Sequence, residues 1–158
     1  MDECKGSALF FNGHFDRDAD LDFGRLSLIN FGTEETKIIK ASSGYRTKQY
    51  AECFHEWGGM LPPAYRCEGD FFWKVATKPI PMPGHRGVRG NFYQISPFEV
   101  KTDRGGRRSD FGIHLDADAP GSLGCIVTDA SRFAELEKWM VELNRSGLAK
   151  VPLIVGYS

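Results

Sequence analysis

His114 and Cys125 have the types and spacing for nucleophilic catalysis. His114 sits near the end of the short apolar run 111–115, and Cys125 opens another at 125–127, with nine residues of turn-forming and acidic composition between the runs. Two adjacent strands joined this way would bring imidazole and thiol side by side. A thiol is a poor nucleophile until deprotonated, and a neighbouring imidazole can take the proton or hold the thiolate as an ion pair. His114 is therefore the candidate base and Cys125 the candidate nucleophile.

The approach to Cys125 supports that assignment. Gly121-Ser122-Leu123-Gly124 leads directly into the cysteine. Glycines there let the backbone turn sharply and aim N–H groups at a developing oxyanion. An isolated histidine and cysteine would more often be a half-buried imidazole and an inert core thiol. The Ser-x-Gly-Cys turn, the strand context and the order of the two residues favour catalysis instead.

At these residues the chain resembles the L,D-transpeptidase catalytic domain, the YkuD-like family, whose signature is a histidine on one strand followed by a Ser/Thr-x-Gly-Cys turn. Ile113-His114 and Ser122-Leu123-Gly124-Cys125-Ile126 carry the likeness. Gly58-Gly59-Met60-Leu61-Pro62-Pro63-Ala64-Tyr65 is similar to a second family segment, which feeds a strand into the core. The short-range order, His before Cys, differs from papain-like and NlpC/P60-like hydrolases, in which the cysteine comes first. Leu115 stands where the family usually has Gly, Leu123 where it often has His, and Ala64 where it usually has Gly. The intervening loop is also short. These features are closest to a short branch similar to effectors delivered by type VI secretion.

The resemblance implies a mainly β domain, a β-sandwich or mixed sheet with one substantial C-terminal helix. It also implies acyl transfer on peptidoglycan stem peptides. Cys125 would attack the carbonyl of the L-centre residue before a terminal D-Ala, and His114 would protonate the departing D-amino acid. Gly124 and Cys125 would steady the oxyanion through their N–H groups, and Ser122 would shape the turn. Arg107, Arg108, Leu123 and His85 are the candidate substrate contacts, an arginine preceding the histidine in relatives too. The outcome would be L,D-carboxypeptidase, D-amino-acid exchange or transpeptidase activity. A catalytically silent wall-binding or virion protein with the same fold is the alternative.

Length and composition are compatible with that picture. A chain of 158 residues suits one domain, spanning 1–158, with a sizeable core. Eighteen Gly, eight Pro and twelve Phe point to many turns and short strands. Net charge is −1 with a pI near 6.4, so no global basic field attracts nucleic acid. Arg86, Arg89, Arg104, Arg107 and Arg108 are local exceptions, either solvated loop tips or contacts for the carboxylates of an anionic polymer.

Cys4, Cys53, Cys67 and Cys125 form no Cys-x-x-Cys pair and have no histidine at ligand spacing, so neither a structural metal nor a cofactor is expected. Cys53 and Cys67 could pair in an oxidising compartment. The acidic run 16–22 lacks the glycine and terminal glutamate of a calcium loop. No stretch has the roughly 20 apolar residues of a membrane span. Residues 1–7 do not read as a signal peptide. Expected, then, is synthesis in the cytoplasm and action in the periplasm or wall after delivery by another route, with an immunity protein as partner if the protein is an effector.

In chain order, 7–11, 25–31, 36–41, 70–77, 91–100 and 151–157 read as strands, with a Ser42-Ser43-Gly44 turn after the third. Residues 45–57 read as a short helix or irregular insert holding His55. The segment 78–90, with Pro79, Pro81 and Pro83, is too punctuated for regular structure and reads as a lid or substrate-binding flap around His85 and Arg86. Phe133, Leu136, Met140 and Leu143 form one apolar stripe of a helix capped by Thr128 or Asp129 and ended at Gly147.

Overall fold

Alternate positions along the first strands face the core. β1 (Ser7–Gly13) buries Leu9 and Phe11; β2 (Gly24–Asn30) buries Leu26 and Leu28 between partly or fully exposed neighbours. Along β3 (Glu35–Tyr45) Ile39 and Ala41 turn inward. The computed structural model describes residues 6–15, 21–45, 49, 59–64, 72–97, 99–101, 106–118 and 120–158. The expected insert with His55, and Cys4, Cys53 and Cys67, lie outside them.

The remaining elements are β4 (Trp73–Ala76), β5 (Ile80–Met82), β6 (Gly90–Ser96), β7 (Glu99–Lys101), β8 (Arg107–Ser109), β9 (Gly112–Leu115), β10 (Gly121–Thr128), α1 (Ala130–Arg145) and β11 (Lys150–Tyr157). The fold is thus mainly β with one C-terminal helix. Among the described residues nine strands pair in the order β4-β11-β1-β2-β3-β10-β9-β6-β5, and β4 also pairs with β6, so the pairings return on themselves. β7 and β8 form a separate two-stranded ribbon.

α1 forms where the apolar stripe lies. Asp129 caps it by accepting the Arg132 N–H at 3.0 Å, and Phe133, Leu136, Trp139, Met140 and Leu143 are buried. Burying each such side chain contributes about 1.5–3 kcal/mol. Gly147 follows the helix with φ +94°. One core runs from these residues through Leu9, Leu26 and Trp73 to Phe111 just before β9, Ile113 of β9 and Ile126 of β10.

Two local expectations change, and the 59–64 segment takes its own form. Ser42, Ser43 and Gly44 continue β3 and do not turn it; Ser42 and Ser43 pair with Val127 and Ile126 of β10. The segment 78–90 contains β5, which pairs with β6 through Ile80, Pro81 and Met82. Proline is tolerated there because β5 is the last strand of the order, where a missing N–H leaves no ladder bond unmade on the open side. Residues 59–64 are buried but form no strand. Pro62 and Pro63 lack ladder N–H groups, and side chains take up the backbone instead. Arg108 donates to Met60 O, Tyr157 to Leu61 O, Trp73 to Pro62 O, and Leu61 N–H donates to Ser43 Oγ.

Candidate active site

β9 and β10 are neighbours and run parallel, with Ile126 opposite Ile113 and Val127 opposite His114. Each commits only three residues to this pairing, so the short connection between them suffices where a full parallel crossover would need a dozen or more residues. Ile113 and Ile126 are fully buried in the core. Side chains alternate along a strand, so His114 and Cys125 project from the opposite face, Cys125 one register step before Ile126 and thus level with Gly112. Core packing on one face therefore fixes the two reactive groups on the other.

Gly112 makes room for a neighbour rather than for an unusual backbone. A Cβ there would stand 2.2 Å from the Phe92 ring. Phe92 of β6 lies over this gap and stacks on the His114 imidazole, with centroids 5.8 Å apart and planes inclined by 27°. Across the other edge of the imidazole, Nδ1 meets the Leu115 carbonyl at 2.7 Å, which assigns the proton to Nδ1 and leaves Nε2 as the acceptor. Burial pulls the His114 pKa below its usual value, outweighing the bond to Leu115 and the charge of Asp116. The ring is therefore neutral at pH 7.

The turn that leads into Cys125 is held by side-chain hydrogen bonds. Ser122 Oγ donates to the Cys125 carbonyl at 2.6 Å and accepts a long 3.4 Å contact from Gly124 N–H. Asp116 accepts the Gly121 N–H on both carboxylate oxygens, and Ser43 Oγ donates to Gly124 O at 3.3 Å. Gly124 has φ +123°, a left-handed backbone that favours glycine.

Cys125 is partly exposed and free, its thiol donating to the Asp110 carbonyl at 3.3 Å. Asp110 itself carries φ +62°, so the carbonyl that meets the thiol belongs to a residue in the strained left-handed region. Desolvation pushes the thiol up to about 12, against a hydrogen bond from the Gly112 N–H. At rest the pair is a neutral thiol and a neutral imidazole.

Both groups open into a cleft of about 680 Å³, whose far wall is Ile80, Met82 and residues 85–88. His85, Ser122 and Leu123 line it, Leu123 with 61% of its surface exposed. Gly124, between Leu123 and Cys125, is buried and does not line it. The structure does not bring Arg107 or Arg108 to the cleft: Arg107 pairs with Glu99 on the exposed ribbon at 2.8 Å, and Arg108 turns into the protein. The residues 85–89 are tied to the β9–β10 connection by Asp118, which accepts the Gly87 N–H and the Arg89 guanidinium. No family model matches this chain, and neither a curated protein nor a solved structure matches it.

Sequence reasoning missed Phe92, Gly112, Asp110, Asp116 and Asp118. Their roles come from cross-strand neighbours and loop contacts, which no local spacing announces. Only Asp116 and Asp118 left a trace, as acids in the connection between the two apolar runs.

Proposed function

We propose that this protein is a cysteine acyltransferase or hydrolase of L,D-transpeptidase type, acting on peptidoglycan stem tetrapeptides at the bond between the L-centre residue and D-Ala. One observation carries the reading: a free cysteine and a neutral imidazole project from the same face of adjacent parallel strands into one cleft, the cysteine at the end of a Ser-x-Gly turn. The sheet with its single C-terminal helix is then the family's sandwich or mixed sheet.

The chemistry follows from the protonation states. The Cys125 thiol leaves the Asp110 carbonyl and gives its proton to His114 Nε2 as sulfur attacks the carbonyl carbon of the L-centre residue. Backbone N–H groups at Gly124 and Cys125 steady the oxyanion, the Gly124 donor being only weakly held by Ser122. Collapse breaks the C–N bond, and His114 protonates the departing amine of D-Ala. Water or an amine then attacks the thioester, gives its proton to His114, and the thiol is restored. Water makes the enzyme an L,D-carboxypeptidase; an amine makes it a transpeptidase or exchange enzyme. The delivered-effector likeness favours cleavage or exchange in the periplasm or wall, with an immunity protein as a further partner.

A catalytically silent wall-binding or virion protein is the second reading, favoured by the thiol's bond to Asp110 and its elevated pKa. Incubation with purified tetrapeptide muropeptides separates the two. Mass spectrometry is expected to show loss of D-Ala with wild type and at least roughly a thousandfold slower loss with Cys125→Ala. Absence of turnover in wild type, or equal turnover in the variant, rejects the enzymatic reading.

A further inference from the structure

Behind the nucleophile turn lies a cation that this chemistry does not yet use. Arg108 on β8 is only 3% exposed. Its Nη2 donates to the Met60 carbonyl at 3.0 Å, and its guanidinium lies 5.2 Å from the centroid of the Phe111 ring. Its Nη1 is buried with no hydrogen-bond partner among the described residues. A buried guanidinium with donors left unpaired opposes folding, so packing alone is a poor reason for a cation here. Its contacts suggest a better one. A Cβ on Gly124 would stand 2.8 Å from Arg108 Nη2, so the charge is seated against the residue that precedes Cys125.

We propose that Arg108 is a positioning residue for the nucleophile: seated against Gly124, its buried charge holds the turn and favours the Cys125 thiolate as it forms. The inference rests on Cys125 being the nucleophile of the function proposed above. The charged and titratable groups around the thiol are Asp110 from the β8–β9 turn, Arg108 from β8, His114 from β9, and His85 and Arg86 from the facing wall of the cleft. Tyr157 of β11 also interacts electrostatically with Arg108. Burial raises the thiol pKa most and Asp110 raises it further, while the Gly112 N–H and the Arg108 charge lower it. Burial brings Arg108 itself down to about 10, so it stays cationic through neutral pH.

The test reads the thiol directly and needs no muropeptide. Carbamidomethylation of Cys125 by iodoacetamide is followed by peptide mass spectrometry between about pH 7 and 8.5, where Arg108 stays cationic and the rate tracks the thiolate fraction. Thermal melts accompany each variant. Arg108→Gln and Arg108→Met are expected to react at least about tenfold more slowly at each pH, as a thiol pKa higher by about one would give. They should melt at or above the wild-type temperature, because a partly unpaired buried charge has gone. Arg108→Lys keeps a cation but one that burial neutralises more readily, so its rate should lie between those of wild type and Arg108→Gln, closest to wild type at the low end of the pH range.

Wild-type reactivity in Arg108→Gln overturns the proposal. So does a loss of rate in all three variants that only follows a loss of melting temperature. If Arg108→Met does not fold, the Gln and Lys pair decides. Muropeptide turnover by wild type is read separately, so failure here leaves the proposed function standing, and failure there leaves this result interpretable.

Discussion

Along β1 and β2 the inward positions Leu9, Phe11, Leu26 and Leu28 are apolar and fully buried, and the backbone runs in regular ladders to β11 and β3. Across β8, β9 and β10 the rules change: Arg108 and His114 are buried, Asp110 and Gly124 have positive φ, and one arginine nitrogen has no partner among the described residues. The first region has the features of stability. The second gathers buried charge and local strain around one thiol, and such departures cluster where a fold supports chemistry. The shared core through Ile113 and Ile126 is what lets the first region support the second.

Damage to the regular side should be costly for folding and neutral for chemistry. Leu28→Ala removes a fully buried side chain and is expected to lose about 2–5 kcal/mol in denaturant unfolding. Below its transition its Cys125 should alkylate at the wild-type rate; slower alkylation in the folded protein would merge the two regions into one unit.

Damage to the site should show the reverse balance. Gly124→Ala places a Cβ 2.8 Å from both Arg108 and Phe111 at a φ that disfavours side chains, and should lose about 1–3 kcal/mol. The alkylation rate of Cys125 should change at the same time, because the turn must move. An unchanged rate would mean the turn does not set the nucleophile.

The smallest effect is electrostatic. His114 has a lowered folded pKa, so the unfolded chain binds more protons as pH falls through about 6.5. Stability is then lost with falling pH until the folded pKa is reached, by about 1.4 kcal/mol for each pH unit that separates the unfolded and folded values. His114→Gln should flatten that part of the melting profile between about pH 7 and 5. The same neutral ring predicts an acid limb in kcat/KM with its midpoint below about 6.5; a midpoint above that value would contradict the burial effect.

How much of this was legible in the sequence follows the same division. The apolar stripe from Phe133 to Leu143 announced α1, because one helical face meets one core. β1 followed from its apolar run before Asn12-Gly13, and β2 and much of β3 from strand-like segments on either side of the 32–35 turn. His114 and Cys125 were legible as neighbours because two apolar runs joined by a turn-rich connection place adjacent strands side by side. β5 was not legible, since prolines that break a central strand are harmless at the end of the strand order. Arg108 read as a surface contact for substrate, but its environment is made by Met60, Phe111 and Gly124. The stacking of Phe92 on His114 likewise depends on a glycine 20 positions away in the chain, seen only once β6 and β9 pair.

The central claim is that Cys125 forms a thioester with a stem peptide. Acid quenching of wild type with excess tetrapeptide muropeptide, followed by peptide mass spectrometry, reads that bond directly. The predicted result is a Cys125 peptide heavier by the acyl group that remains after D-Ala has left, absent in Cys125→Ala and accumulating in His114→Gln only far more slowly. Loss of D-Ala with an unmodified Cys125, or acylation at another residue, would contradict it.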